Sequence, residues 1–287
     1  MKKFFIITNL AKDPDHKISE GIVTYLKANG ASCAMRGGRR AADERHRVTR
    51  SSEIPEGTEC IIVLGGDGTL MRAAGDVYET EIPLLGINLG TLGYLAEIDR
   101  ASIYPALDSL LRDEFQIEQR MMLKGTVWHQ GEKIYQGVAL NDIVISRQSA
   151  VPHVISLYNF VNDAYLNYYR ADGVIISSPT GSTGYSLSAG GPIISPEASL
   201  FLMTPLAAHT LNTRSVVLPA GNKITVKIGP GRDNTVEQAC AYFDGDRSAP
   251  METDDYVDIE KAEKDIRIVK IRNDSFLETL RRKMSTI

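Results

Sequence analysis

The sequence predicts an α/β N-terminal domain followed by a β-rich C-terminal one. Three observations carry that expectation. Over roughly the first hundred residues, buried-strand patterns alternate with amphipathic-helix patterns. From about residue 120 the apolar period falls to two. Between a strand-like run and a helix-like run lies a polar, flexible corner, Gly65-Gly66-Asp67-Gly68-Thr69.

The elements follow in order. FFIIT (4–8) is a continuous apolar run, as strands of parallel sheets are. DHKISEGIVTYLKANG (15–30) puts Ile18, Ile22, Tyr25 and Leu26 on one helical face and stops at Asn29-Gly30. CIIVL (60–64) and IPLLGIN (82–88) are further buried strands, with the helix TLMRAAGDVY (69–78) between them. SIYPALDSLLRD (102–113) is a third helix, with Ser102 placed to cap it and Pro105 tolerated in its first turn. The second half reads as hairpins turning near 130–133, at Asn162-Asp163 and at 219–222, closed by DYVDIEKAEKDIRIVKI (255–271). One segment near 197–209 carries a helical pattern. The tail, 274–284, is helical again, with Phe276, Leu277 and Leu280 on one side. The domains are drawn at 1–115, 116–268 and 269–287, the last returning as a helix to the first.

Bulk properties narrow the function. The 287 residues are 43% hydrophobic and 24% charged, enough to bury a real core. A net charge of −4 demands neither a nucleic-acid partner nor an anionic membrane. Three scattered cysteines, Cys33, Cys60 and Cys240, have no metal or disulfide spacing and fit a reducing cytoplasm. The apolar run of the N-terminus is too short for a signal peptide, and no stretch approaches a membrane span. Residues 35–50 hold six arginines, either a solvated loop or a basic loop that helps hold phosphates.

At the glycine corner, Gly65, Gly66 and Gly68 let backbone N–H groups and a ligand meet closely ahead of a helix N-terminus. Phosphate is the natural ligand, yet Asp67 would repel it. Asp67 is therefore a Mg²⁺ ligand, a proton acceptor for a hydroxyl being phosphorylated, or simply the cap of an ordinary turn. P-loop, dinucleotide-fold and hydrolase-elbow motifs are missing. Asn141-Asp142 heads an apolar strand and could bracket a ribose diol or an adenine edge, or form a plain turn. Residues 168–194 join Asp172-Gly173 to PTGSTGYSLSAGG, rich in small hydroxyls and exposed amides and flanked by buried runs as a linker is not.

Together GGDGT (65–69), GINLGTLGYL (86–95), LND (140–142) and DGVIISSPTGSTGYSLSAGGPI (172–193) resemble the NAD kinase family over most of the chain. The resemblance implies ATP-dependent phosphorylation of the 2′-hydroxyl of the adenosine ribose of NAD, giving NADP. It implies a β-sandwich-like C-terminal domain, a site between the domains, Mg²⁺, and a homodimer or homotetramer. It makes Asp67 the proton acceptor against NAD, with Gly68 beside the same ligand, and sets Gly65, Gly66, Gly68 and Thr69 about the ATP phosphates. Asn141 and Asp142 match the pair that contacts NAD, and Asp172 the acidic residue near the nicotinamide end. Thr180 and the run Thr183, Gly184, Tyr185 to Ser188 match the loop that wraps the dinucleotide, with Tyr185 stacking on adenine and Tyr94 at the adenosine pocket. Arg72, His153, Arg170 and Ala207 follow by position. The chain departs from the family in four places. It has Asp142 where glutamate is usual, shortening reach by about 1.5 Å. Gly184 stands where alanine is common. Near Asp246, which is given no role, a glutamine or histidine is usual, and His153 is one residue off the usual spacing. Metal ligands are not assigned. The rivals are a lipid kinase sharing GGDGT, which should show an apolar or basic amphipathic surface, and a non-catalytic NAD(P) sensor, which should lack the carboxylate at the corner.

Overall fold

The computed structural model describes residues 1–36, 48–90, 93–96, 98–148, 153–209, 213–272 and 275–285. Most of the arginine-rich stretch, 37–47, lies outside the described residues. The chain forms two compact units, Met1–Arg120 with Ile266–Ile287, and Met121–Asp265.

The first unit is built on β1 (Lys3–Thr8), α1 (Lys17–Ala28), β2 (Ser32–Met35), β3 (Cys60–Gly65), α2 (Asp67–Val77), β4 (Leu84–Asn88), β5 (Ile98–Asp99), α3 (Ile103–Leu111) and β6 (Gln116–Arg120). The continuous apolar strands sit where both faces are covered: Ile61, Ile62, Leu64, Leu84 and Leu85 are wholly buried. On α2, Leu70, Ala73, Ala74 and Val77 fall at helical spacing and are buried. Asp13 rather than the flanking residue caps α1, its carboxylate accepting from Ile18 N–H at 3.1 Å and Ser19 N–H at 3.0 Å. At α3 the expected cap is displaced. Ser102 makes no side-chain cap bond, and Asp99 accepts Ser102 N–H instead, at the turn that leads into the helix.

The second unit holds β7 (Leu123–His129), β8 (Glu132–Ala139), β9 (Asp142–Arg147), β10 (Ile155–Val161), β11 (Ala164–Ala171), β12 (Gly173–Ser177), α4 (Tyr185–Ser188), β13 (Leu200–Leu206), β14 (Val216–Pro219), β15 (Ile224–Ile228), β16 (Gln238–Phe243), β17 (Arg247–Glu252) and β18 (Tyr256–Lys261). Two antiparallel sheets form, ordered β11-β10-β15-β18-β7-β8 and β14-β13-β12-β9-β16-β17. Their inward residues make one core, with Val127, Leu157, Val226 and Val257 from the first sheet and Ile143, Ile145, Val174 and Phe201 from the second. That is a β-sandwich. The chain then returns to the first unit as β19 (Ile266–Lys270) and ends in α5 (Phe276–Met284). The first unit's sheet runs β2-β1-β3-β4-β19-β6, with β5 beside β4. It is parallel except that β6 runs against β19.

Four sequence expectations change. The segment at 197–209 is strand β13, because its apolar residues are buried from both sides as a run. The turn at 219–222 joins strands of different sheets rather than a hairpin. The closing segment splits, β18 in the sandwich and β19 in the first unit. The drawn boundaries at 116 and 268 move to 120/121 and 265/266, because β6 and β19 complete the first sheet by pairing with each other. In the last three cases the sequence pattern marks a strand but not its partner. α5 buries no residue, and Leu277 is 71% exposed.

Candidate functional site

In the first unit, three loops gather at the carboxyl ends of β1, β3 and β4, where open α/β sheets bind ligands. Gly65 ends β3, and Gly66 caps α2 in extended conformation. Asn9 Nδ2, from the loop after β1, donates to Thr69 Oγ1 at 3.2 Å. Gly68 is exposed, and a Cβ there would meet nothing within 4 Å. Arg72 lies half-buried farther along α2.

Asp67 is held from the loop after β4. Its Oδ2 accepts Tyr94 N–H at 2.7 Å, and its Oδ1 accepts Leu95 N–H at 3.3 Å and Ala96 N–H at 3.1 Å. A carboxylate offers about four acceptor directions, so three amides fix it and about one remains. Gly93 makes the approach possible, since a Cβ on it would overlap the Asp67 carboxylate. This explains why GGDGT and the later GTLGYL segment are needed together. Tyr94 itself is half-buried, with Lys283 of α5 5.6 Å from its ring centre.

Sequence reasoning misses Lys12. Its ammonium donates to Gly65 O at 3.3 Å and lies close to Gly66 and Gly90. It places a positive charge at a phosphate-type corner. A lysine in a polar loop carries no signal of its own, and only the folded loop reveals it.

In the second unit, Leu140, Asn141 and Asp142 pack on the loop after β12. Ser178 N–H donates to Asn141 O at 2.8 Å, and Ser178 Oγ to Leu140 O at 2.5 Å. Gly181 sits so close that a Cβ would overlap the Asn141 carbonyl. The hydroxyl-rich stretch divides by role. Ser182 bonds Pro179 and Ile194, and Ser186 bonds Thr204, all inside. Thr180 is buried, Thr183 and Gly184 are half-buried, and Tyr185 (51% exposed) and Ser188 face outward. Asn141 Oδ1 is buried without a hydrogen-bond partner among the described residues. An orphaned acceptor of this kind is what a ligand donor would satisfy.

A second residue that the motifs do not reveal, Asp244, anchors this corner. Its carboxylate accepts from Leu140, Asn141 and Asp142 N–H at 2.7, 2.8 and 3.2 Å. The backbone at Asp244 is left-handed (φ 51°), and Gly245 follows, the Asp-Gly turn of the β16–β17 hairpin. Burial pushes the Asp142 carboxyl up to about 7, and the Asp244 charge adds to it. Burial also raises Asp244, to about 6, against the pull of the three amides and of Arg247. The two titrate as a pair. Because the folded pair binds protons that the unfolded chain releases near 3.8, its contribution to stability is full below that pH and is lost as pH rises towards about 7. Asp142→Asn should therefore flatten the change in melting temperature between about pH 4 and 7; equal slopes in both proteins would refute the pairing.

The remaining expected residues stand elsewhere on the second unit. Asp172 accepts from Arg147 Nε at 3.0 Å. Ala207 is exposed with φ 44°, a left-handed conformation unusual for alanine. His153 Nε2 meets Glu237 Oε2 at 2.6 Å, and His153 and Arg170 line a cavity that does not include residues 141–142 or 178–188.

Comparison with known proteins identifies the family. The ATP-NAD kinase N-terminal domain matches residues 6–115, and the ATP-NAD kinase C-terminal domain matches residues 140–271. An NAD kinase from Agathobacter rectalis is 43% identical over 286 residues, covering 99% of both chains. One from Lachnospira eligens is 42% identical, covering 99% of this chain and all of that one. Among solved structures, yeast NADH kinase complexed with NADH superposes with a TM-score of 0.89 at 22% identity, covering 100% of this chain and 88% of that one. An Archaeoglobus fulgidus NAD kinase in complex with ATP gives 0.76 at 23%, covering both chains fully. On the domain matches and the full-length identities, this chain belongs to the ATP-NAD kinase family.

Proposed function

We propose that the chain is an NAD kinase, transferring the terminal phosphoryl group of ATP to the 2′-hydroxyl of the adenosine ribose of NAD to give NADP. The observation that carries the site assignment is the Asp67 carboxylate, fixed by three amides at the glycine corner with an acceptor direction to spare. A ribose hydroxyl is a weak nucleophile, and a positioned carboxylate takes its proton as the P–O bond forms. The amides at the start of α2 and Lys12 supply positive potential to the transferring group. Asn141, Asp142, Thr180, Tyr185 and Ser188 hold the dinucleotide, with the orphaned Asn141 Oδ1 as the natural acceptor for one of its donors. Arg72, Tyr94, Asp172 and Ala207 are proposed contacts on the same reading.

Mg²⁺ would supply charge neutralisation on the phosphates. Among the described residues no group of three or more His, Cys, Asp or Glu could hold a metal ion. That suits an ion carried on the nucleotide with at most one or two protein carboxylates, as Mg²⁺ usually is. A cytoplasmic, homodimeric or homotetrameric enzyme fits the reading. No helix among the described residues is long and apolar enough to cross a membrane, and Cys33, Cys60 and Cys240 are buried and unpaired.

Incubation with NAD, Mg²⁺ and ATP, followed by an assay for NADP, tests the function. Phosphorylation of diacylglycerol or sphingosine instead would favour the lipid kinase, and binding without turnover would favour a sensor. Lys12→Met should raise the KM for ATP roughly tenfold, the worth of one charge-assisted hydrogen bond, and leave the KM for NAD unchanged. A variant with both constants unaltered removes Lys12 from the phosphate site.

A further inference from the structure

The C-terminal segment of the chain returns to the loop that holds Asp67. That loop joins β4 to β5 and carries Tyr94, Leu95 and Ala96, whose N–H groups bond the Asp67 carboxylate. The segment grips this connection twice. Just past β19, Arg272 Nη2 donates to Asp99 Oδ2 at 3.1 Å and to Ser102 Oγ at 2.6 Å, where the loop ends. Within α5, the Lys283 ammonium stands over the Tyr94 ring, 5.6 Å from its centre, in reach of a cation–π attraction. All of these residues belong to the first unit.

Apart from this contact α5 is lightly attached. Its start is fixed by a reciprocal cap: Glu278 N–H donates to Ser275 Oγ at 3.2 Å, and Ser275 N–H to Glu278 Oε2 at 2.7 Å. Arg281, Arg282 and Lys283 suit the negative end of the helix dipole. Phe276, Thr279, Leu280 and Lys283 fall on one helical face and are half-buried, whereas Leu277, Arg281 and Met284 are exposed. No residue of the helix is fully buried. A helix that buries so little opens locally at small cost. The Lys283–Tyr94 contact closes the far end of its half-buried row and ties it to the segment that shapes Asp67.

We propose that Lys283 is a positioning residue for the phosphoryl transfer. Its cation holds the Tyr94 ring, the ring holds the Tyr94 backbone, and the Tyr94 N–H sets the direction of Asp67 Oδ2. Lys283 acts through Tyr94 and not on the ligands. The inference rests on the reading of Asp67 as the proton acceptor. A misplacement of about 1 Å between reacting groups is enough to cost turnover heavily, so a weak clip at a distance is felt at the carboxylate.

The test joins steady-state kinetics to amide hydrogen exchange, both on the full-length protein. The variants are Lys283→Met, Lys283→Arg, Tyr94→Leu, Lys283→Met and Tyr94→Leu together, and Leu277→Ser as a control on the exposed side of α5. Methionine keeps much of the side chain but not its charge, and should lower kcat about threefold to fivefold, the worth of one half-exposed cation–π contact. Arginine, which also stacks on aromatic rings, should restore it. With Tyr94→Leu already in place, Lys283→Met should lower kcat no further, because its partner ring is gone. In the protein without ligands, the amides of 94–96 should exchange severalfold faster in Lys283→Met, and at the wild-type rate in Lys283→Arg and Leu277→Ser. Three results would overturn the proposal. One is a Lys283→Met enzyme with the kcat of wild type. Another is a loss that persists in full beside Tyr94→Leu, or that shows only as a raised KM for ATP, either of which makes Lys283 a ligand contact in its own right. The third is unaltered exchange at 94–96. A wild type that forms no NADP from NAD and ATP removes the kinase reading instead, and faster exchange at 94–96 in Lys283→Met would still establish the clip.

Discussion

Asp67→Asn should lower turnover by roughly 10²-fold or more while the protein stays folded. Asparagine keeps the shape but cannot take the proton of a ribose hydroxyl at neutral pH. It also exchanges one oxygen for an NH₂ group that faces amide donors. If Oδ1 keeps its bonds to Leu95 and Ala96, the NH₂ confronts Tyr94 N–H, donor against donor, and that N–H has lost its acceptor. Stranding one amide costs about 1–3 kcal/mol, which lowers the melting temperature of a chain this size by a few degrees. The structure thus alters what the sequence alone suggests: Asn at 67 is not a silent replacement, and NAD affinity can shift with the 93–96 segment. Steady-state kinetics with thermal melts separate the two effects. Asp67→Ala should strand all three amides and melt lower still, yet lose turnover to a similar degree. Near-normal turnover in Asp67→Asn would refute the proton-acceptor role.

Asp244→Ala should be the most destabilising change in the second unit's site. Three consecutive amides lose their acceptor in a buried place, at about 1–3 kcal/mol each where no water enters. The corner that they shape carries Asn141 and Asp142, so the KM for NAD should rise at least tenfold and the KM for ATP change little. Asp244→Asn, which keeps one acceptor oxygen, should fall between the two proteins. Because the variant removes a charge next to Asp142, it should also shift the acid limb of the profile of NAD affinity against pH, a change that mere loosening of the hairpin would not make. Equal KM values for NAD in wild type and a folded Asp244→Asn would remove the residue from the site.

The sequence is most legible where chemistry needs several residues side by side. The buried runs at 4–8, 60–64 and 82–88 lie in the first sheet, and the glycine corner lies at its carboxyl edge. Asn141-Asp142 heads β9 as expected. What stays hidden is partnership across distance. Asp67 meets the 94–96 amides 27 to 29 residues away, and Asp244 meets 140–142 more than a hundred residues away. The same limit misassigns β14, β15 and β19, whose alternation is plain but whose neighbours depend on the whole fold. The four-residue strand β2 escapes notice because SCAM has too few residues to show any period.

The register of the first sheet has a further meaning. The chain leaves that unit after Arg120 and re-enters it at Ile266, and these two residues are partners on adjacent strands. The sandwich is thus a 145-residue insert whose ends emerge side by side, spliced into a hairpin that a two-residue turn could close. Evolution could exchange such a module without disturbing the sheet that hosts it, and an engineer can excise it by the same cut, leaving the glycine corner on a scaffold of its own.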